Sequence, residues 1–149
     1  MNDDLLYADI WTKETIEDVK KLAGPILVVG VTGFIGAKLF FSLRKCRGDV
    51  YGCSRTPQNS WRPMHSQSPS LLNCDITDFD AVEGLTKNLK PMTVFNLAAY
   101  WAYSRKSETG KIHQTNYIGT LNLLRALSDT GCAAFVQAGS SSEYGLNCD

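Results

Sequence analysis

Pro25-Ile26-Leu27-Val28-Val29-Gly30-Val31-Thr32-Gly33-Phe34-Ile35-Gly36-Ala37-Lys38-Leu39-Phe40 reads as a buried strand, a glycine turn and the opening of a helix. Ile26 to Val29 is a short apolar run rich in β-branched residues, the pattern of a strand covered on both faces. Three glycines then fall three residues apart. Gly30 lets the chain turn tightly off the strand, Gly33 lets backbone approach a pyrophosphate, and Gly36 lets the helix pack close to the strand. N–H groups at the start of that helix would face phosphates, and its dipole would favour their charge. A glycine triplet alone is weak evidence; between an apolar strand and an amphipathic helix it is much stronger.

Downstream of the turn, Phe34 to Lys45 has a helical apolar face at Ile35, Leu39, Phe40 and Leu43. Val50 to Ser54 and Leu71 to Cys74 read as the second and third strands. Between them, Thr56 to Ser70 has three prolines, four serines and no periodicity, which predicts a loop. Asp78 or Thr77 is placed to cap a helix running to about Asn88. Thr93 to Leu97 is a fourth strand. A helix over 109–129 carries Ile112, Tyr117, Leu121, Leu124 and Leu127, and Gly131 stops it. Ala133 to Ala138 is a fifth strand, left by the polar run Gly139-Ser140-Ser141-Ser142. Upstream, residues 1–24 read as a helical extension ended by Gly24-Pro25, and residues 25–149 as one domain.

Strands alternate with helices throughout. That predicts an α/β fold, a doubly wound parallel sheet of order 3-2-1-4-5, with ligand at the carboxyl ends of the strands. The turn and loop residues fall at those ends: Gly30 to Gly36, Ser54-Arg55, Asp75, Ala98-Ala99 and Ser140.

The 149 residues carry 15 basic and 15 acidic side chains. Neutral balance argues against a nucleic-acid or anionic-membrane surface. No apolar run approaches membrane-spanning length, and Met1-Asn2-Asp3-Asp4 does not open a signal peptide, so a cytoplasmic protein is expected. The five cysteines are odd in number and lack C-x-x-C spacing, which fits reduced, mostly buried thiols. The two histidines, His65 and His113, have no ligand-spaced partners, and no metal is expected.

With these elements placed, the chain resembles the N-terminal part of an extended short-chain dehydrogenase/reductase of the NAD(P)-dependent sugar-nucleotide epimerase/dehydratase family. Five stretches carry the resemblance in order: Val31 to Gly36, Cys74 to Asp78, Val94 to Ala99, Thr115 to Leu124, and Phe135 to Gly145. It implies a Rossmann-type sheet that binds a dinucleotide through Gly30, Thr32, Gly33, Phe34, Ile35, Gly36, Asp75, Ile76, Leu97, Ala98, Ala99 and Asn116. Asn116 itself reads as a buried structural amide. Ser140 matches the catalytic serine, whose hydroxyl would bond the substrate oxygen undergoing oxidation or reduction.

The family's catalytic tyrosine and lysine, spaced Y-x-x-x-K, are not found in these residues. Tyr100, Tyr103, Tyr117 and Tyr144 have no lysine four positions on. The resemblance therefore implies a chain truncated after the fifth strand, inactive by itself. The competing expectation is a non-catalytic NAD(P)-binding sensor or interaction module.

At the end of the second strand, NAD users usually place an acid against the ribose. Here Ser54 stands there, followed by Arg55. A neutral residue beside a permanent cation suits a 2′-phosphate, which favours NADP(H) over NAD(H) as cofactor. Expected partners are the dinucleotide, a nucleotide-sugar substrate in the intact enzyme, and a second copy of the chain in a homodimer through the 109–129 helix.

Overall fold

The computed structural model describes residues 11–57, 68–100 and 108–140. Five parallel strands, β1 (Ile26–Val29), β2 (Val50–Ser54), β3 (Leu71–Asn73), β4 (Thr93–Asn96) and β5 (Ala134–Gln137), form one sheet of order β3-β2-β1-β4-β5. The expected fold class and strand order are both found. The chain runs outward from β1 through β2 to β3, then crosses to the other side of β1 for β4 and β5, so Ile26 pairs with Val50 on one side and Thr93 on the other.

β1 is fully buried, and its side chains divide between two cores. Ile26 and Val28 pack with Val19, Phe40, Leu43 and Val50 under the helices α1 (Lys13–Lys21) and α2 (Phe34–Cys46). Leu27 and Val29 pack with Val82, Val94, Leu123 and Leu127 under α3 (Phe79–Leu89) and the long C-terminal helix. A period of two along the strand thus feeds both faces, the reason the run is apolar throughout.

α1 lies upstream of β1. Thr12 caps it, accepting from Thr15 N–H at 3.1 Å, and Val19 reaches the core beneath α2. Asp78 is the cap of α3, accepting from Asp80 and Ala81 N–H at 3.0 and 3.2 Å.

The predicted single helix over 109–129 is interrupted. It comprises α4 (Thr109–Ile112), a π-helical turn (His113–Ile118) and α5 (Gly119–Thr130). Such turns insert one extra residue and re-aim the side chains around it. The loop expected over 56–70 falls largely on residues 58–67, outside the described residues. Among the described residues, no helix is long and apolar enough to cross a membrane, and no group of three or more metal-ligating side chains occurs.

Candidate cofactor site

The carboxyl ends of β1, β2, β3 and β4 open onto one cavity of about 230 Å³. Its floor is the glycine turn. Gly30 has φ +85°, and a Cβ there would meet the Ala98 amide nitrogen at 2.8 Å and its Cα at 2.9 Å. Backbone after β1 and backbone after β4 therefore lie in direct contact beneath the cavity. Gly36, in the first turn of α2, faces the Gly30 carbonyl so closely that any side chain would collide with it. Gly33 is the N-cap of α2, no side chain caps the helix, and its first turn holds no acid. The positive end of the helix dipole is left for an anionic ligand.

One wall comes from β2 and β3. Ser54 ends β2, and its Oγ is buried with no hydrogen-bond partner. A buried hydroxyl without a partner is costly, so one in a cavity wall marks a place where a ligand group would complete it. The thiols of Cys53 and Cys74 sit below and bond to each other, and that bond together with burial pushes Cys53 well above the ordinary thiol range. Cys46, Cys53, Cys74 and Cys132 carry free thiols, Cys53 and Cys74 buried and Cys46 and Cys132 half-buried. Beyond Cys74, Asp75 shapes its own turn: one carboxylate oxygen accepts from the Thr77 N–H at 3.0 Å and the Thr77 hydroxyl at 2.8 Å. Asn122 of α5 holds the next carbonyl, that of Ile76, at 3.0 Å.

The opposite wall follows β4 through Leu97, Ala98 and Ala99, with Tyr100 next in the chain. Asn116 lies in the π turn, where its Oδ1 accepts the Tyr100 N–H at 2.7 Å. It is exposed, so the buried amide expected from the sequence is corrected to an exposed one that holds a backbone strand end. The Tyr100 hydroxyl donates to Glu108 at 2.6 Å, and Lys111 pairs with the same oxygen at 2.7 Å. These bonds from Lys111 and Tyr100 hold the Glu108 carboxyl below its ordinary range. The Tyr100 phenol is raised, chiefly by its bond to Glu108.

Ten of the expected site residues line the cavity together: Gly30, Thr32, Gly33, Ser54, Arg55, Asp75, Ile76, Leu97, Ala98 and Ala99. Phe34 and Ile35 do not; they open α2 and are 80% and 64% exposed. Gly36 lies beneath the floor, and Asn116 acts through Tyr100. Ser140 follows β5 on the same sheet edge but is not in the cavity lining. Val29, Thr56, Cys74 and Thr115 line the cavity without having been named as site residues; Cys74 and Thr115, which open the motifs quoted over 74–78 and 115–124, were the most readable of them.

Comparison with known proteins places this cavity in context. The model of the NAD dependent epimerase/dehydratase family matches residues 26–149. A UDP-glucuronate 4-epimerase of Thermodesulfobacterium geofontis is 30% identical over 131 residues, covering 81% of this chain and 41% of that protein. Among solved structures, Bordetella bronchiseptica WbmH in complex with NAD+ is 26% identical with a TM-score of 0.68, over 81% of this chain and 40% of that one. The UDP-glucose 4-epimerase of Thermotoga maritima, solved with UDP-glucose, is 26% identical with a TM-score of 0.71, over 83% and 40%. The chain thus spans about 40% of the length of these relatives.

These findings overturn the preference for NADP(H). The matched family is described as NAD dependent, and the WbmH structure holds NAD+, so NAD is the cofactor they support. The physical reason lies in what Ser54-Arg55 can show in sequence. An arginine at a strand end reads alike whether it clamps a phosphate or faces solvent, and Arg55 is exposed. Ser54, by contrast, offers a buried neutral hydroxyl, which suits a ribose hydroxyl and needs no phosphate. By the match over residues 26–149, this chain belongs to the NAD dependent epimerase/dehydratase family.

Proposed function

We propose that this chain forms the NAD-binding part of an enzyme acting on a nucleotide sugar, an epimerase or dehydratase. The observation that carries the reading is the buried, unpartnered Ser54 Oγ in the wall of a cavity floored by the Gly30–Gly36 turn. In this reading the backbone of the turn and the start of α2 bind the pyrophosphate. Ser54 completes its hydrogen bonding on a ribose hydroxyl, Asp75 and Ile76 border the adenine, and Ala98 and Ala99 lie along the cofactor. The bound nicotinamide would supply a hydride acceptor. Ser140, beyond β5, would direct its hydroxyl to the substrate oxygen that gains or loses a proton.

The substrate class rests on the relatives, since two of those compared act on or hold a UDP-sugar. A second copy of the chain is the proposed protein partner. Tyr117, Leu121 and Leu124 are 59%, 40% and 46% exposed along one side of the C-terminal helix, an apolar stripe suited to pairing. Light scattering should give a dimer that Leu121→Arg dissociates.

Isothermal titration of the purified chain with NAD tests the cofactor reading. Saturable binding at one site per chain is expected, weakened in Ser54→Val, which fills the hydroxyl's place with a methyl group. No heat and no thermal shift at millimolar NAD would overturn it.

A further inference from the structure

β4 ends in Asn96, a wholly buried polar side chain in the middle of the sheet. Its amide has a single consistent orientation. The Ala98 N–H can only donate, so the atom facing it at 3.3 Å is the Asn96 oxygen. Nδ2 then uses both hydrogens, one to the Gln137 side-chain oxygen at 2.8 Å and one to the Thr120 hydroxyl at 3.1 Å. Each acceptor passes the bond on. Thr120 donates its own hydrogen to the Asn116 carbonyl in the π turn at 2.8 Å. Gln137 donates from Nε2 to the Ala138 carbonyl, beyond the end of β5, at 3.0 Å. Backbone bonds bracket the same point, with the Asn96 carbonyl accepting from the Ala138 N–H at 3.0 Å.

We infer that Asn96 is a positioning residue that sets three separate chain segments in mutual register: the Leu97–Tyr100 strand end, the π turn at His113–Ile118, and the Ala138–Ser140 exit from β5. Each segment carries residues assigned to the site: Ala98 and Ala99, Thr115 and Asn116, and Ser140. An apolar residue of similar size would fill the core there at less cost in desolvation. The polar amide instead fixes where three loops begin, because each bond has one donor, one acceptor and one geometry. The part of the inference that concerns binding rests on the cofactor reading above; the part that concerns loop register does not.

Hydrogen exchange followed by mass spectrometry on the full chain tests it, with Asn96→Leu as the first variant. Amides in 97–100, 113–120 and 137–140 should exchange about tenfold faster or more, beyond any change shared with β2 and α3. Affinity for NAD should fall about tenfold. Thr120→Val and Gln137→Met each cut one arm. The first should loosen 113–120 selectively and the second 137–140, and these two decide the matter if Asn96→Leu does not fold. Loosening that is uniform across the sheet, or confined to β4, would overturn the inference, as would arm variants that leave their own segments unchanged. If the unaltered chain fails to bind NAD, the cofactor reading falls while the exchange pattern still decides the role of Asn96.

Discussion

Arg47 grips Asp49 two residues on, Nε to Oδ1 at 2.9 Å and Nη2 to Oδ2 at 2.6 Å. Its remaining nitrogen donates to the carbonyls of Val19, at 3.1 Å, and Leu22, at the end of α1. One guanidinium thus joins the turn before β2 to the N-terminal helix, and its side chain is only 12% exposed. Arg47→Ala should destabilise the chain by about 1.5–3 kcal/mol, because it removes the paired bond to Asp49 and the donors to the Val19 and Leu22 carbonyls together. Arg47→Lys should recover little of this, since an ammonium cannot make the planar paired bond. Urea melts of the three proteins measure both effects.

The same pair predicts an acid response. The bond from Arg47 holds the Asp49 carboxyl below its ordinary range. A depressed carboxyl contributes stability that is complete above the unfolded value near 3.8 and is lost as pH falls through the lower native value. Asp49 is 41% exposed, so solvent screening keeps the contribution under about 1 kcal/mol. Asp49→Asn should therefore lower stability at pH 7, and the difference from the unaltered chain should close as pH falls and the native carboxyl takes up its proton, as thermal melts at decreasing pH would record.

Two glycine substitutions should act in opposite directions. Gly30→Ala forces a side chain into a positive-φ turn and against the Ala98 backbone. A loss of about 2–4 kcal/mol is expected from conformational strain and overpacking. Gly84, inside α3, has open space where its Cβ would stand. Gly84→Ala should stabilise the chain by about 0.5–1 kcal/mol through helix propensity. Denaturant titration of each variant separates the two.

Ser54→Ala should also split two properties. Removing a buried hydroxyl that has no partner relieves the ligand-free chain of a desolvation cost, raising its stability by about 1 kcal/mol. The same change should weaken NAD binding several-fold by removing the group that would meet the ribose. A thermal scan with and without NAD reads both, and the two melting curves should cross over relative to the unaltered chain.

The strands were legible because parallel sheets bury both faces, so Ile26–Val29 and Val50–Ser54 announce themselves as apolar runs ended by turn residues. Gly30 and Gly36 were legible for a different reason: close backbone approach excludes every other side chain. The break in the C-terminal helix was harder. Its only trace is the step of five from Ile112 to Tyr117, where an unbroken helix would repeat at three or four. The environment of Asn116 followed from that break and was misread with it. Arg47 gave no signal of its tie to α1, since its partners there, Val19 and Leu22, lie far back in the chain and offer only backbone carbonyls. Arg55 misled because charge type can be read from sequence and what the charge meets cannot.

The π turn sets a phase as well as a local shape. Each residue of a regular helix advances the side-chain direction by about 100°. The one residue inserted between Ile112 and Gly119 therefore decouples the two halves of the helix. Leu123 and Leu127 keep their seats in the core while Thr115 faces the cavity, an arrangement a continuous α-helix of this sequence could not hold at both ends. Forcing regular α-helical bonding through 113–118 without removing a residue would turn everything before it by about that angle, whereas deleting one residue there would leave both halves in phase. The first change would keep the core and rotate the cavity wall away, so the wide turn at this point is itself a specification of the site.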